Sequence, residues 1–192
     1  MKKLKRMTRG AVWAIALLLS FVAAAGAKET KMYKRTLEEY VVPDVTLLDQ
    51  EGREVQLKSY FDTDKPILLD FIYGTCTTIC PVLSVGFAYF QKKLGPNLDQ
   101  VRMVSISIDP DNDTPELMKE YLQKYGAQPG WDALTGKRED VIQVLMAFDA
   151  YVANKMNHYP LTILRAPGEK EWVRIYGMLS ASDLISEHEQ LK

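Results

Sequence analysis

The two cysteines of this chain stand four residues apart, in the segment Cys76-Thr77-Thr78-Ile79-Cys80. A nearly continuous apolar run precedes them and Pro81 opens an apolar-periodic segment, so the pattern predicts a buried strand that turns into a helix here. Amides at a helix start are unpaired and the helix dipole is positive there, which favours thiolate over thiol. This spacing lets both sulfurs share a metal or form a disulfide. Two thiolates alone favour Cu(I) or zinc.

A third ligand would decide between these metals, and the chain has only two histidines. His188 lies among acidic and polar residues of the last segment, which indicates a solvated surface residue. His158 stands just before the apolar strand 161–164, and a lone loop histidine is more often an ordinary loop residue than a ligand. If His158 does join the cysteines, the three donors suit three-coordinate Cu(I), since zinc normally takes four ligands.

The elements that would position these residues follow from the apolar periodicity. The pattern predicts, in order, a β-hairpin over 45–57, a strand over 66–73, a helix from the cysteines to Gly95, a strand over 101–108, helices over 114–126 and 138–151, a hairpin over 161–176 and a last helix from residue 182. This order indicates an α/β, thioredoxin-like fold, with a mixed central sheet flanked by helices and an N-terminal β-hairpin. In such a sheet the loop before strand 161–164 lies beside the cysteines, which makes His158 a candidate ligand.

The first 27 residues have the pattern of an export signal. Their five charges are all positive, an uncharged run follows, and Ala25-Gly26-Ala27 has the form that a signal peptidase accepts. The alternative is a short membrane anchor. Both interpretations place the rest of the chain outside the cytoplasm, in the periplasm or on the outer face of the bacterial cytoplasmic membrane. Residues 28–40 are interpreted as a polar tether, and residues 41–192 as the folded domain.

Composition narrows the classes of partner. With 47% hydrophobic residues the chain can build a core without disulfide bonds. Residues 28–192 carry 19 basic and 25 acidic side chains, a net charge of −6. A nucleic-acid partner calls for a basic surface, so this class is disfavoured. The exported location permits a disulfide between the cysteines, but a bridge over so short a loop would stabilise the fold little.

Four sequence features, taken together, resemble the Sco/SenC family of copper-binding proteins of cytochrome c oxidase assembly. They occur in the family's order over essentially all of residues 41–192. They are Cys76-x-x-x-Cys80-Pro81, Ser107-Ile108-Asp109-Pro110-x-x-Asp113-Thr114-Pro115, Trp131-x-x-Leu134-Thr135-Gly136, and His158 before a strand that leads to Pro167-Gly168.

The resemblance implies a copper chaperone that binds one copper ion, Cu(I) or Cu(II), through Cys76, Cys80 and His158. It further implies delivery to the copper-binding subunit of a respiratory cytochrome c oxidase, close to the membrane, with a periplasmic copper donor or thiol reductant as a second partner. Many relatives have Pro-Asp where this chain has Thr77-Thr78, and Asp where it has Asn157. The predicted site is therefore less anionic than theirs.

Other interpretations of the same residues stay open. Cys76 and Cys80 could be the catalytic pair of a thiol-disulfide oxidoreductase that reduces the target without metal; such an enzyme has no need of His158. A peroxidase is disfavoured because the arrangement around its reactive cysteine is missing. Asp109 is a candidate to lie beside the ligands or to contact a partner, and equally a turn carboxylate. Asp113 is assigned to the helix start, and Met156 to loop packing rather than to weak copper ligation.

Overall fold

A six-stranded mixed β-sheet forms the centre of the molecule. The computed structural model describes residues 31–191, and the strands in that part are β1 Tyr33–Glu39, β2 Thr46–Leu48, β3 Glu54–Gln56, β4 Ile67–Ile72, β5 Arg102–Ser107, β6 Trp131–Leu134, β7 Leu161–Arg165 and β8 Glu171–Gly177. The strand order of the large sheet is β1-β8-β7-β4-β5-β6, and β2 and β3 form a separate hairpin. Strands β4, β5 and β6 run parallel, whereas β7, β8 and β1 pair antiparallel to their neighbours.

Helices cover both faces of the sheet. They are α1 Leu57–Phe61, α2 Ile79–Leu94, α3 Pro115–Lys124, α4 Arg138–Ala147 and α5 Ala181–Glu189, with 3-10 helices over Gly95–Gln100 and Lys155–Asn157. No helix among residues 31–191 is long and apolar enough to span a membrane.

Two apolar cores, one on each face, explain why β4 is apolar along its length. Leu68 and Ile72 face the core that contains Phe87 of α2, and Leu69 faces the core that contains Phe148 beyond α4. Every residue of β4 is buried. A strand covered on both faces needs apolar side chains in both directions, so the central strand could be recognised from the sequence.

The predicted fold class is confirmed: a mixed sheet flanked by helices, with the N-terminal hairpin β2–β3 and the later hairpin β7–β8. The start of α3 also follows the prediction. The Thr114 side chain accepts a hydrogen bond from the amide of Leu117, and Pro115 occupies the first turn.

The interpretation of residues 28–40 as a tether is wrong for residues 33–39. These residues form the edge strand β1, in which Tyr33 lies opposite Gly177 and Glu39 opposite Glu171. The strand is largely polar and its partners are distant in the chain, so its sequence resembles a tether: it pairs with β8, and the Arg35 side chain donates to the buried Glu187 at 2.9 Å. Residues 1–27, where a signal or anchor is predicted, and residues 28–30 lie outside the described part.

Three smaller differences have local causes. Helix α4 ends at Ala147 rather than at residue 151, because Asp149 takes a left-handed conformation with φ of 51°. Leu57 begins α1 instead of ending the hairpin. The segment Trp131–Leu134 is an edge strand whose four residues are too few to show a period.

Candidate metal centre

The turn from β4 into α2 places the two cysteines in the first core. Cys80 lies in the first turn of α2, and Cys76 lies in the loop before it. Both side chains are buried free thiols, 4% exposed for Cys76 and fully covered for Cys80. The backbone amide of Cys80 donates to the Sγ of Cys76 at 3.4 Å, and the Thr78 hydroxyl lies 3.8 Å from the same sulfur. The helix start thus supplies the donors that the sequence predicts.

His158 reaches the cysteines from the 3-10 turn Lys155–Asn157, which lies just before β7. Its Nε2 is 3.3 Å from the Sγ of Cys80 and 3.8 Å from the Sγ of Cys76. Its Nδ1 lies 3.0 Å from the carbonyl oxygen of Lys155. Because a carbonyl only accepts, Nδ1 carries the hydrogen and the Nε2 lone pair faces the two sulfurs.

Burial and hydrogen bonds shift the pKa values of these groups apart. Burial raises the pKa of the Cys76 thiol, but hydrogen bonds from Cys80 and Thr78 outweigh it and lower the value to about 7. Burial and the contact with Cys76 raise the pKa of Cys80. Burial lowers the pKa of His158, which keeps its imidazole neutral and able to bind a metal at neutral pH.

The three side chains can hold one metal ion together. The Sγ atoms of Cys76 and Cys80 and a ring nitrogen of His158 lie within 4.8 Å of one another, and theirs is the one such group in residues 31–191. Two sulfurs and one imidazole form a soft donor set, and a set of three such donors suits trigonal Cu(I) better than tetrahedral zinc. His188 is not among these three residues: it is half-buried and its ring meets that of Phe90 at 5.1 Å, so its interpretation as a solvated residue is wrong.

Asp113 does more than begin a helix. Its carboxylate, in a residue only 2% exposed, accepts hydrogen bonds from the amide of Gly74 at 3.0 and 3.2 Å and from the hydroxyl of Ser107 at 2.6 Å. Burial raises the pKa of Asp113 despite these hydrogen bonds. Asp113 therefore braces the loop that carries Cys76. Because Thr114 alone caps α3, the assignment of Asp113 to the helix start is wrong.

Asp109 and Met156 lie near the centre without being among the three ligands. Asp109 forms an ion pair with Lys155, the residue whose carbonyl holds the imidazole of His158. Met156 is 69% exposed and accepts a hydrogen bond from the Tyr73 hydroxyl at 3.6 Å. Asp109 is thus linked to His158 indirectly, through Lys155. Met156 is exposed, so its assignment to loop packing is wrong.

Tyr73 and Lys155 were not identified from the sequence. Tyr73 directly follows β4, and its ring meets that of His158 edge-on at 5.0 Å. Burial, and a hydrogen bond with Cys76, raise the pKa of Tyr73 to about 12. An aromatic residue at the end of an apolar strand does not by itself indicate a functional site. The position of Tyr73 three residues before Cys76 is the one sequence feature that places it near the cysteines.

The sequence model of the SCO1/SenC family matches residues 34–178. The chain belongs to the SCO1/SenC family. Among the relatives of this SCO1/SenC protein is the SCO1 protein homolog of Bacillus subtilis (strain 168), 34% identical over 155 residues, which are 79% of this chain and 74% of the relative.

Solved structures of the family have the same fold. ScoI of Bradyrhizobium japonicum, determined with copper bound, superposes with a TM-score of 0.64 at 25% identity over 79% of this chain and 99% of that one. BsSco, described as a member of the Sco family of cytochrome c oxidase assembly proteins and as having a disulfide switch, superposes with a TM-score of 0.66 at 29% identity over 81% of this chain and 95% of that one.

Proposed function

We propose that this SCO1/SenC protein binds one copper ion as cargo through Cys76, Cys80 and His158, and delivers it during assembly of the copper centre of a respiratory cytochrome c oxidase. The observation that carries the proposal is the convergence of two buried sulfurs and an imidazole lone pair within 4.8 Å. Three donors hold Cu(I) firmly and leave a coordination position free for a ligand of the receiving protein, which a delivery protein needs.

Two relatives support the cargo and the destination. ScoI of Bradyrhizobium japonicum has been described with copper bound, and BsSco as a cytochrome c oxidase assembly protein. The proposed partners are therefore the copper-binding subunit of the oxidase and a periplasmic copper donor or thiol reductant.

The proposed location is the periplasm or the outer face of the cytoplasmic membrane. It rests on the basic, apolar and Ala-Gly-Ala pattern of residues 1–27. N-terminal sequencing of the protein from cells should begin at Lys28 if the segment is a cleaved signal, and at Met1 on a membrane-bound protein if it is an anchor. A soluble cytoplasmic protein that retains Met1 would exclude export.

Thiol-disulfide exchange is the second candidate function, and one observation favours it. The pKa of Cys76 is lowered to about 7 while that of Cys80 is raised. One reactive thiolate beside one protonated thiol is the arrangement of a dithiol reductant. In this function the protein would reduce the cysteines of its target, and neither copper nor His158 would be needed.

The test compares metal content and exchange in matched variants. The purified, reduced wild-type protein should retain copper in preference to zinc against a competing chelator. His158→Ala should lose most of this retention while it still reduces a small disulfide, because the thiols take their reactivity from the helix start. His188→Ala, the other histidine, is the control and should retain copper.

Cell assays separate the two functions. In a strain that lacks the native gene, His158→Ala should fail to support oxidase activity if the protein delivers copper. Full oxidase activity with this variant would reject delivery and favour the reductase. Copper retention equal to wild type in the purified variant would remove His158 from the site.

A further inference from the structure

The turn that carries His158 has little internal support. It is a single 3-10 turn over Lys155–Asn157, capped by the Asn154 side chain, which accepts from the amide of Met156. Its backbone bonds are few, from Asn157 to Asn154 at 2.9 Å and from His158 to Lys155 at 3.2 Å, and so short a turn is only marginally stable alone, so contacts with neighbouring elements matter for its position. Yet the ring of His158 takes its orientation from this turn, through the bond of Nδ1 to the Lys155 carbonyl at 3.0 Å. Whatever fixes Lys155 therefore also fixes the imidazole.

The side chain of Lys155 is fixed at the carboxyl edge of the sheet. Its ammonium forms an ion pair with the carboxylate of Asp109, just beyond β5, and the two side chains are 34% and 11% exposed. Asp109 is itself held, because its other oxygen accepts from Asn112 at 2.9 Å and its amide donates to Ser107 at 3.0 Å. The ion pair thus joins the histidine turn to a rigid point of the strand edge.

Tyr73 supplies a second attachment on the neighbouring strand. The ammonium of Lys155 lies 5.4 Å from the centre of the Tyr73 ring. The same ring meets His158 at 5.0 Å, and its hydroxyl donates to the sulfur of Met156. Tyr73 therefore contacts residues at the beginning, middle and end of the histidine turn, and it stands three residues before Cys76.

We propose that Lys155 is a positioning residue, whose contacts with Asp109 and Tyr73 hold the His158 turn so that Nε2 faces the two cysteine sulfurs. This inference rests on the proposed copper-binding function. The backbone carbonyl and the ammonium belong to one residue, so fixing the ammonium at the sheet edge limits how the carbonyl, and with it the imidazole, can turn. Lys155 makes this contribution without touching the metal.

The Lys155–Asp109 pair is only partly buried, so its own contribution to folding stability is expected to be modest. The expected effect of Lys155 is instead on metal retention, because a group that orients a ligating histidine typically changes metal affinity by about tenfold or more. The side chain of Asp109 is mostly buried, which strengthens its interaction with the ammonium relative to a fully exposed pair.

The experiment measures Cu(I) affinity by competition with a chromophoric Cu(I) chelator, in reduced full-length protein. Lys155→Met keeps the apolar stem and removes the charge, and should weaken Cu(I) binding about tenfold. Lys155→Arg should restore most of it. Lys119→Met is the matched control, since Lys119 pairs with Glu51 at 2.8 Å on an exposed surface of the protein; it should leave affinity unchanged.

Two further readouts separate positioning from a general loss of structure. The thiolate-to-metal charge-transfer band of the Cu(II) form should shift in Lys155→Met, because the imidazole is no longer held in place, and should not shift in Lys119→Met. The double variant Lys155→Met/Asp109→Asn should bind no more weakly than Lys155→Met alone, since both changes break one contact.

Affinity and spectrum equal to wild type in Lys155→Met would overturn the inference, and so would fully additive losses in the double variant. His158→Ala, measured in the same series, keeps this failure distinct from failure of the proposed function. If His158→Ala loses copper and Lys155→Met does not, only the positioning role is rejected. If neither loses copper, the three-ligand site itself is wrong.

Discussion

The backbone amide of Cys80 donates a hydrogen bond to the Sγ of Cys76 at 3.4 Å, so the first turn of α2 stabilises the thiolate that precedes it. The two thiols are unequal: despite burial, hydrogen bonds from the Cys80 side chain and from the amides of Thr78 and Cys80 lower the pKa of Cys76 to about 7, whereas burial raises the pKa of Cys80. At neutral pH Cys76 is therefore the more readily ionised thiol, whereas Cys80 is expected to give up its proton only when a metal or a disulfide partner replaces it.

Thiolate absorbance in the reduced, metal-free protein should therefore show one titration with a midpoint near pH 7. In Cys76→Ala this step should disappear, because the remaining thiol of Cys80 stays protonated at neutral pH. In Cys80→Ala the midpoint should move above that of wild type, since the Cys80 side chain no longer donates to Cys76. A step near neutral pH that survives in Cys76→Ala would contradict the assignment.

Oxidation should abolish copper binding. The cysteine spacing suits a disulfide, and a disulfide offers no thiolate to a metal. Protein oxidised with a small disulfide should take up little copper, and treatment with a thiol reductant should restore uptake. The measurement is copper content after gel filtration, with free thiols counted in the same samples. Uptake by the fully oxidised protein equal to that of the reduced protein would show that the cysteines are not the ligands.

Removal of Asp113 should destabilise the fold and loosen the cysteine loop. Asp113→Ala leaves the amide of Gly74 and the hydroxyl of Ser107 without their buried acceptor, at a cost of about 3 kcal/mol in free energy of unfolding. Asp111→Ala is the control, because Asp111 is exposed and pairs only at the surface with Arg138. Urea unfolding measures the free energy of unfolding of both variants. Equal stabilities of the two variants would mean that Asp113 does not brace the loop.

Asp70 lies in the middle of β4 as a fully buried carboxyl group. In the sheet it stands between Ser105 and Thr162, on the face that α2 covers. Among the residues that the structure describes, neither of its oxygens makes a well-formed hydrogen bond, and a weak interaction with the Ser105 side chain offsets only part of the effect of burial. Burial raises its pKa to about 7, so the folded protein keeps Asp70 protonated where the unfolded chain has already ionised it.

The stability of the protein should therefore fall as pH rises from about 4, the unfolded pKa, to about 7, and level off above that. Asp70→Asn cannot ionise and does not show this loss. The difference in free energy of unfolding between Asp70→Asn and wild type should therefore grow by about 3 kcal/mol as pH rises from about 5 to about 8. Asp64→Asn is the control, because Asp64 is exposed; its stability should depend on pH as that of the wild type does. Urea unfolding at both pH values is the measurement. If the difference in stability between Asp70→Asn and wild type is the same at pH 5 and pH 8, Asp70 is not the group that makes stability fall with pH.

Local signals made much of the fold predictable. Strand β4 is an apolar run because helices cover both its faces. The start of α3 can be recognised from two adjacent residues, because the Thr114 side chain caps the helix and Pro115 suits its first turn. The cysteine pair could be placed at a strand–helix turn for the same reason. These features depend on residues that are close together in the chain, so the sequence alone determines them.

Tertiary structure alone decided the contacts that hold the site. Strand β1 pairs with β8, and its Arg35 meets a buried glutamate 152 residues away; the brace from Asp113 to Gly74 spans 39 residues. The ion pair of Lys155 with Asp109 joins two loops 46 residues apart. Polar side chains such as these show no period and fit a solvated loop equally well. Their roles are fixed only when the sheet brings its strand ends to one edge, because hydrogen bonds and ion pairs depend on distance in space rather than along the chain.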